Sequence, residues 1–301
     1  MIPKIAIIGS LNMDFVVQTT RHPVEGETLL GEKISYFPGG KGANQAVGAS
    51  RLGADVKMIG SVGNDLYGNE LISSLKSDGV DVSSIKEVDS TSTGTAIILL
   101  AKGENSIIVI QGANAECSPK DIDHNIEIIK ESDIVLIQME IPLETVCYAV
   151  QVAKRLNKTI ILNPAPAQHL PSEILNCIDY ITPNETELAI LTKDKAESDD
   201  LESKIDTLLL AGVKHVITTL GSNGVAYKGN GQSLQKIQGY NVPVVDTTGA
   251  GDAFNAGFAY SIGQGKSIID SIVFANKTAA LAIGKSGAQS GMPLLKEVLE
   301  F

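Results

Sequence analysis

The stretch VDTTGAGDAFNAGFAYSI, Val245 to Ile262, carries three glycines, two threonines and two aspartates into an apolar run. It reads as a strand-to-helix junction followed by a buried helix. Glycines at 249 and 251 remove side chains, so the backbone can turn tightly and bring its N–H groups against a ligand. Free N–H groups in a helix's first turn carry partial positive charge and suit a phosphate. Asp252, in that same turn, has two readings. It is a helix-dipole partner or cap, or it is a carboxylate held beside an anion-binding turn. The second arrangement suits deprotonation of a hydroxyl that attacks phosphorus, while the amides neutralise the oxygens of the transferring group.

Other phosphate motifs fail. The Walker pattern needs a glycine five residues before Gly265-Lys266-Ser267, and Tyr260 stands there. A dinucleotide fingerprint needs a third glycine where GGKGANQ has Gln45 and GAGDAF has Phe254.

Working outward, short β-branched runs alternate with helical periods, which predicts a three-layer, doubly wound, mostly parallel α/β sheet covered on both faces. KIAIIGS, VKMIGSV, DIVLIQM, TIILNPAPA, DYITP and HVITTLGSNG read as strands. GANQAVGASRLGA, DLYGNELISSLKSDG and PLETVCYAVQVAKRLN read as helices, and the apolar AGDAFNAGFAYSIGQG and SIIDSIVFANKTAALAIG should pack on the sheet. Two segments break the rhythm. Residues 13–38 and 94–112 contain short alternating runs, the second a hairpin around Lys102 to Asn105. Within a single domain over 1–301, they predict a small antiparallel sheet projecting as a lid.

Composition narrows the ligand. Of 301 residues, 43% are hydrophobic and 20% charged, as in a soluble globular protein. A net charge of −11 argues against nucleic acid and anionic membranes as partners, and with aromatics at 4% and no Trp there is no base-stacking platform. An anionic ligand must then be held by local amides or a metal. Three widely spaced cysteines, Cys117, Cys147 and Cys177, predict reduced thiols rather than a zinc site. No signal-like or membrane-spanning segment is read, so the chain is expected in the cytoplasm.

Other segments supply the second half of a phosphoryl-transfer site. GSLNMD places Asn12 and Asp14 after the first strand, at the carboxyl edge where doubly wound sheets bind ligands. GGKGANQ places Lys41 and Asn44 at another glycine-rich helix start, and QMEIP puts Glu140 at a strand's end. Fixed polar groups of this kind suit a small polyol, whose buried hydroxyls need partners. Singly, Asn12 reads as well as a turn cap and Lys41 as a loop charge. TPNETE offers Asn184 and Glu187 near metal and phosphates, and equally a capping box.

GSLNMD, GGKGANQAV, NPAPA, TPNETE, TLGSNG and DTTGAGDAFNAGF occur in the order and spacing of the ribokinase family. The chain resembles that family, within the ribokinase-like carbohydrate and nucleoside kinases, from about Ile5 to about Pro293. The resemblance implies transfer of the γ-phosphoryl group of ATP to the 5-hydroxyl of D-ribose. Asp252 would be the base and the amides of Gly249, Ala250 and Gly251 the anion hole. Ribose would meet Asn12, Asp14, Gly40, Lys41, Gly42, Ala43, Asn44, Glu140 and Asp252. ATP would lie along Asn184, Thr219, Leu220, Gly221, Ser222, Asn223, Gly224, Gly251 and Asn276. Mg²⁺ would bridge phosphates through water near Glu187. An activating potassium ion would take Asp246, Thr248, Ala282, Lys285, Gly287 and Gly291, where the family often has serine at the last position. The resemblance also implies a homodimer formed through the lid sheet. A kinase for another sugar or nucleoside (deoxyribose, fructose) and a non-catalytic sugar sensor are the competing readings.

Overall fold

The computed structural model describes residues 1–102, 104–193 and 200–301. Its first strand, β1 (Lys4–Ile8), shows how the layers arise. Ile5 and Ile7 enter one core and Ile8 the other, because successive side chains of a strand point to opposite faces. Strands β2 (Asn12–Thr19), β3 (Lys33–Gly39), β4 (Asp55–Gly63), β5 (Asp81–Val88), β6 (Gly94–Ala101) and β7 (Glu104–Ile110) follow. They precede β8 (Ile134–Gln138), β9 (Thr159–Asn163), β10 (Tyr180–Ile181), β11 (His215–Thr219), β12 (Val225–Gly229) and β13 (Gln235–Ile237).

Nine strands form one sheet in the order β13-β12-β11-β10-β9-β8-β1-β4-β5. From β11 to β5 every pairing is parallel, and β12 and β13 add antiparallel strands at one edge. Buried on both faces, its central strands are continuous apolar runs rather than alternating ones. One face carries helices Lys41–Arg51 and Ala250–Gly263, through Ala46, Val47, Phe254 and Phe258. The other carries helices such as Leu143–Arg155, through Val146, Ala149 and Val150. Helix Ile268–Ala282 packs chiefly against helix Ala250–Gly263 rather than on the sheet itself. Strand order reverses between β1 and β8, and the crevice at their carboxyl ends is where such sheets bind ligands.

A second, four-stranded sheet runs β3-β2-β6-β7. It contains the expected antiparallel pairs β2–β3 and β6–β7, but its centre is a parallel pair, β2–β6. The reason is geometric. Both β2 and β6 leave the main sheet at the carboxyl ends of parallel strands, β1 and β5, so they set out in the same direction. At the tip of the β6–β7 hairpin Gly103 lies outside the described residues. Asn114 anchors the base of this sheet: its Oδ1 accepts from Leu11 N at 2.9 Å and its Nδ2 donates to Asn12 Oδ1 at 2.8 Å. Phe15 meets Tyr36 of β3 edge-on at 5.0 Å and Tyr67 of helix Leu66–Ser77 at 5.3 Å, which rests the sheet on the body. Among the described residues no helix is long and apolar enough to cross a membrane.

Candidate active site

Two helix N-termini converge on the switch-point crevice. Helix Lys41–Arg51 begins after Gly40 at φ 88°, and helix Ala250–Gly263 after Gly249 at φ 78°. Both angles lie in the left-handed region that favours glycine, so each glycine lets the chain turn sharply into its helix. At Gly251 an added Cβ would meet no atom within 4 Å. The glycine leaves an open cradle above the first-turn amides, of the shape a phosphate oxygen would fill.

Asp252 is only 5% exposed. Its Oδ2 accepts from Asn44 Nδ2 at 2.8 Å and its Oδ1 from Gln45 Nε2 at 2.9 Å. The carboxylate lies on the boundary of two cavities. One, of about 270 Å³, is lined by Asn12, Asp14, Gly40, Lys41, Asn44 and Glu140, under a roof of Ala96, Ile98, Ile107 and Val109 from the second sheet. The other, of about 230 Å³, is lined by Asn184, Glu187, Thr219 and the turn from Gly249 to Gly251. Lys41, Thr247, Gly249 and Asp252 belong to both. A carboxylate at such a junction can take a proton from a hydroxyl in the first cavity that attacks an electrophile in the second.

The first cavity is equipped for hydroxyls. Glu140 Oε2 accepts from Ser10 Oγ at 2.5 Å and from Lys41 N at 3.1 Å, which fixes its carboxylate at the end of β8. The buried Asn44 Oδ1 has no protein partner and is an acceptor awaiting a donor. Burial, followed by the charges of Glu140 and Asp252, pushes the pKa of Asp14 up to about 7, against the opposing Lys41. Burial disfavours the Lys41 ammonium, yet Asp252, Glu140, Glu187 and Asp14 outweigh it and raise its pKa above the ordinary lysine value. Gly42 and Ala43 line neither cavity, and their N–H groups donate to Ser10 Oγ at 3.4 Å and Ser10 O at 3.0 Å.

In the second cavity TPNETE forms the expected capping box. Asn184 Oδ1 accepts from Glu187 N at 2.8 Å, Glu187 Oε2 accepts from Asn184 N at 2.9 Å, and the capped carboxylate still faces the cavity. Burial raises the Glu187 pKa, and Asp252 adds to the shift, while Asn184 N and Lys41 oppose it. Of the expected nucleotide residues, Asn184, Thr219 and Gly251 line this cavity. Leu220 and the short turn Gly221–Asn223 continue from β11 along the rim to Gly224. Gly224 lies against the backbone of Gln238 and Gly239, and Asn276 Nδ2 donates to Gln238 O at 3.4 Å, so these residues share one surface beyond the cavity.

The six expected cation ligands gather behind the Gly249 turn. Asp246 Oδ1 accepts from Thr248 N and Oδ2 from Gly287 N, each at 2.9 Å, which ties the two loops together. Burial works against the Asp246 carboxylate, but its hydrogen bonds to Thr248 and Gly287 outweigh it and lower the pKa. Lys285 N donates to Ala282 O at 3.1 Å and Gly291 N to Gly287 O at 2.9 Å. The Lys285 ammonium pairs with Glu297 at 2.7 Å, so this lysine could offer the loop a carbonyl without crowding it with a like charge. Gly291 offers no side-chain oxygen.

Ser10, Gln45, Asn114, Asn163 and Thr247 were not singled out by sequence reasoning. Gln45 registered only as a missing glycine, and Asn163 only as a letter of NPAPA. A polar side chain inside an otherwise small-residue helix, such as Gln45 between Asn44 and Ala46, was the available signal.

The pfkB family carbohydrate kinases match residues 2–295 of the chain. The ribokinase of Bacillus subtilis is 44% identical over 297 residues, covering 99% of this chain and 98% of the relative. A deoxyribokinase of Salmonella typhi is 36% identical over 300 residues, covering 99% and 98%. Among solved structures, an Arabidopsis thaliana ribokinase complexed with ribose and ATP superposes with a TM-score of 0.92 at 35% identity, covering 100% of this chain and 98% of that one. Similarity of this extent, over a shared fold, places the chain in the pfkB family of carbohydrate kinases.

Proposed function

We propose that this chain is an ATP-dependent ribokinase, transferring the γ-phosphoryl group of ATP to the 5-hydroxyl of D-ribose to give D-ribose 5-phosphate and ADP. The observation that carries the reading is Asp252, held between a hydroxyl-binding cavity and an open turn of helix-terminal amides. Ribose occupies the first cavity with its hydroxyls on Asn12, Asp14, Asn44 and Glu140. Asp252 accepts the proton of the 5-hydroxyl as that oxygen attacks phosphorus. The amides of Gly249 and Gly251 and the Lys41 ammonium take up charge on the phosphoryl oxygens, joined by the Ala250 amide as it turns from Thr247 O, to which it donates at 3.2 Å. The rim from Thr219 to Gly224, with Asn276, holds the nucleoside.

Glu187 fits a magnesium ion held through water, since its carboxylate faces the phosphate cavity and such an ion takes much of its shell from phosphates and water. Bound there, Mg²⁺ neutralises charge on the phosphates. Asp246 and the loop carbonyls are a hard-oxygen set suited to potassium, which adds positive field behind the anion turn. The second sheet serves as a lid over the sugar, excluding water as a competing acceptor. Half-exposed Ile34, Tyr36, Ile108 and Ile110, on the face turned from the sugar cavity, support this sheet as the dimer interface. Three unpaired cysteines suit the cytoplasm, where ATP is made.

The deoxyribose reading draws on the Salmonella relative, and it differs by one hydroxyl that only the pocket can read. On a panel of sugars with ATP, ribose is expected to give the highest kcat/KM, and a higher value for another sugar ends the ribose assignment. In the same assay Asp252→Asn is expected to lower kcat by a factor on the order of 10² while ribose binding persists; near-normal turnover would exclude it as the base, whereas a wild type that binds ribose without turnover would favour the sensor reading.

Asp14 sets a pH dependence. Ribose hydroxyls donate to its charged form, so KM for ribose is expected to rise as pH falls from 8 to 6, through a pKa of about 7, and to be flat above it. Asp14→Asn should weaken binding and abolish the slope; a slope that survives assigns it to another group.

Replacing K⁺ with Na⁺ at constant ionic strength is expected to lower the rate several-fold, and equal rates would dispose of the cation site.

Light scattering should give twice the mass of the chain, 31.7 kDa, and Ile108→Lys should halve it. A monomeric wild type contradicts the dimer.

A further inference from the structure

The base does not stand alone behind the sugar. Gln45 is fully buried and lines neither cavity, yet its Nε2 donates to Asp252 Oδ1 at 2.9 Å and to Asn163 Oδ1 at 3.1 Å. Its Oε1 accepts from Gln138 Nε2 at 2.6 Å. The direction of this chain of amides is forced. Asn163 Nδ2 faces the carbonyl oxygen of Thr182 at 3.3 Å, which can only accept, so Asn163 must present its oxygen to Gln45. The carboxylate on the other side also accepts when ionised. Gln45 therefore has one consistent orientation, with both N–H bonds spent and its oxygen turned to Gln138. Gln138 in turn fits only because Gly9 lacks a side chain: a Cβ there would lie 1.9 Å from Gln138 Oε1.

The two partners of Asp252 are not equivalent. Asn44 lines the sugar cavity and meets Oδ2, the oxygen on the substrate side. Gln45 meets Oδ1 from the buried side, and further bonds extend the network to the anion turn. Thr182 Oγ1 donates to Asn255 Oδ1 at 2.6 Å, and Asn255 Nδ2 donates to Gly251 O at 2.8 Å. Resting on the kinase reading above, we propose that Gln45 is a positioning residue: with Gln138 and Asn163 it clamps one oxygen of Asp252 by an obligatory donor, so that the other faces the attacking hydroxyl.

The charged groups around Asp252 are Lys41, Asp14, Glu140 and Glu187. Replacing Gln45 by an acid of the same shape adds a fifth, in hydrogen-bond contact. Two touching carboxylates share a proton, so the loss of kcat at low pH should begin at higher pH. Gln45→Glu is expected to move the acid limb of kcat up by about one pH unit or more and to lower kcat at pH 7 about tenfold, with KM for the sugar within about threefold. Gln45→Met keeps the bulk without donor or charge, and should lower kcat with a smaller movement of the limb in the same direction. An acid limb of Gln45→Glu that coincides with wild type overturns the proposal, whatever happens to kcat.

The kinase reading is judged separately, by wild-type turnover. Should another sugar outperform ribose, the pH series is run on that sugar and the clamp is still decided. Should the wild type transfer no phosphate, thermal unfolding decides. Gln45→Glu must then lose stability relative to wild type as pH rises from 5 to 8, since carboxyls whose folded pKa is raised stabilise at low pH and cease to as they ionise. A stability difference independent of pH over that range also overturns the proposal.

Discussion

The site depends on how closely two helices approach. Helices Lys41–Arg51 and Ala250–Gly263 pack along each other, and a Cβ added to Gly48 would lie 2.7 Å from Cβ of Ala256. Ala46, Ala49, Ala253 and Ala256 are buried small residues on the same pair. The hydrogen bonds of Asn44 and Gln45 to Asp252 span this interface at 2.8 and 2.9 Å. Hydrogen bonds weaken within a few tenths of an ångström, so a bulkier seam would separate the base from both donors while leaving each helix intact. The same approach brings both glycine-led N-termini to one point. The first turn of helix Ala250–Gly263 faces the phosphate cavity as a positive end, whereas the amides that open helix Lys41–Arg51 are spent on Glu140 and Ser10.

Against that positive end the chain sets a dense acidic cluster, with Lys41 as its common counter-charge. Asp14, Glu140, Glu187 and Asp252 all act on this ammonium. One cation cannot neutralise four carboxylates: burial first, and then the charges of Glu140 and Asp252, push the Asp14 pKa up to about 7 against Lys41. A nucleotide's phosphates would add further negative charge in a protein that already carries −11. Local amides and bound cations, rather than the overall field, must therefore hold them. This is the physical case for the proposed potassium site at the Asp246 and Gly287 loops. Asp246 belongs to the segment that leads into Gly249, and its carboxylate binds that segment to the Gly287 turn.

Features encoded in local sequence were legible. Gly249 and Gly251 announce the turn, Asp252 its acid, Asn184 and Glu187 a cap, and the β-branched runs a parallel sheet. Features created by contacts between distant residues were not. Gln45 meets Asp252 across 207 positions of sequence, and nothing adjacent to it specifies a carboxylate partner. The parallel pairing of β2 with β6 escaped for the same reason. A hairpin declares its own antiparallel partner through its turn, whereas two segments separated by helix and sheet declare no mutual direction. Gly42 and Ala43 are a third case. The family resemblance implied ligand contact for both, and nothing in the local sequence announced that Ser10, returning after β1, takes their amides.

The division of labour around the sugar cavity bears on how a lid could move without spoiling recognition. Asn44 and Glu140 belong to the body, and Asn12 and Asp14 to the first turn of β2, where Asn114 fastens the second sheet to the loop after β1. Level with Asp14 the sheet contributes Ala96 and Val109, and farther out Ile98 and Ile107, none of which has a side-chain hydrogen bond to place. In a sheet pivoting at its base, displacement grows with distance from the pivot. The polar contacts, which fail beyond a few tenths of an ångström, therefore lie where motion is least. The apolar contacts, which are non-directional and scale with area, extend to where it is greater. The sheet can thus expel water over a wide arc while the hydroxyl-binding groups hold their register against Asp252.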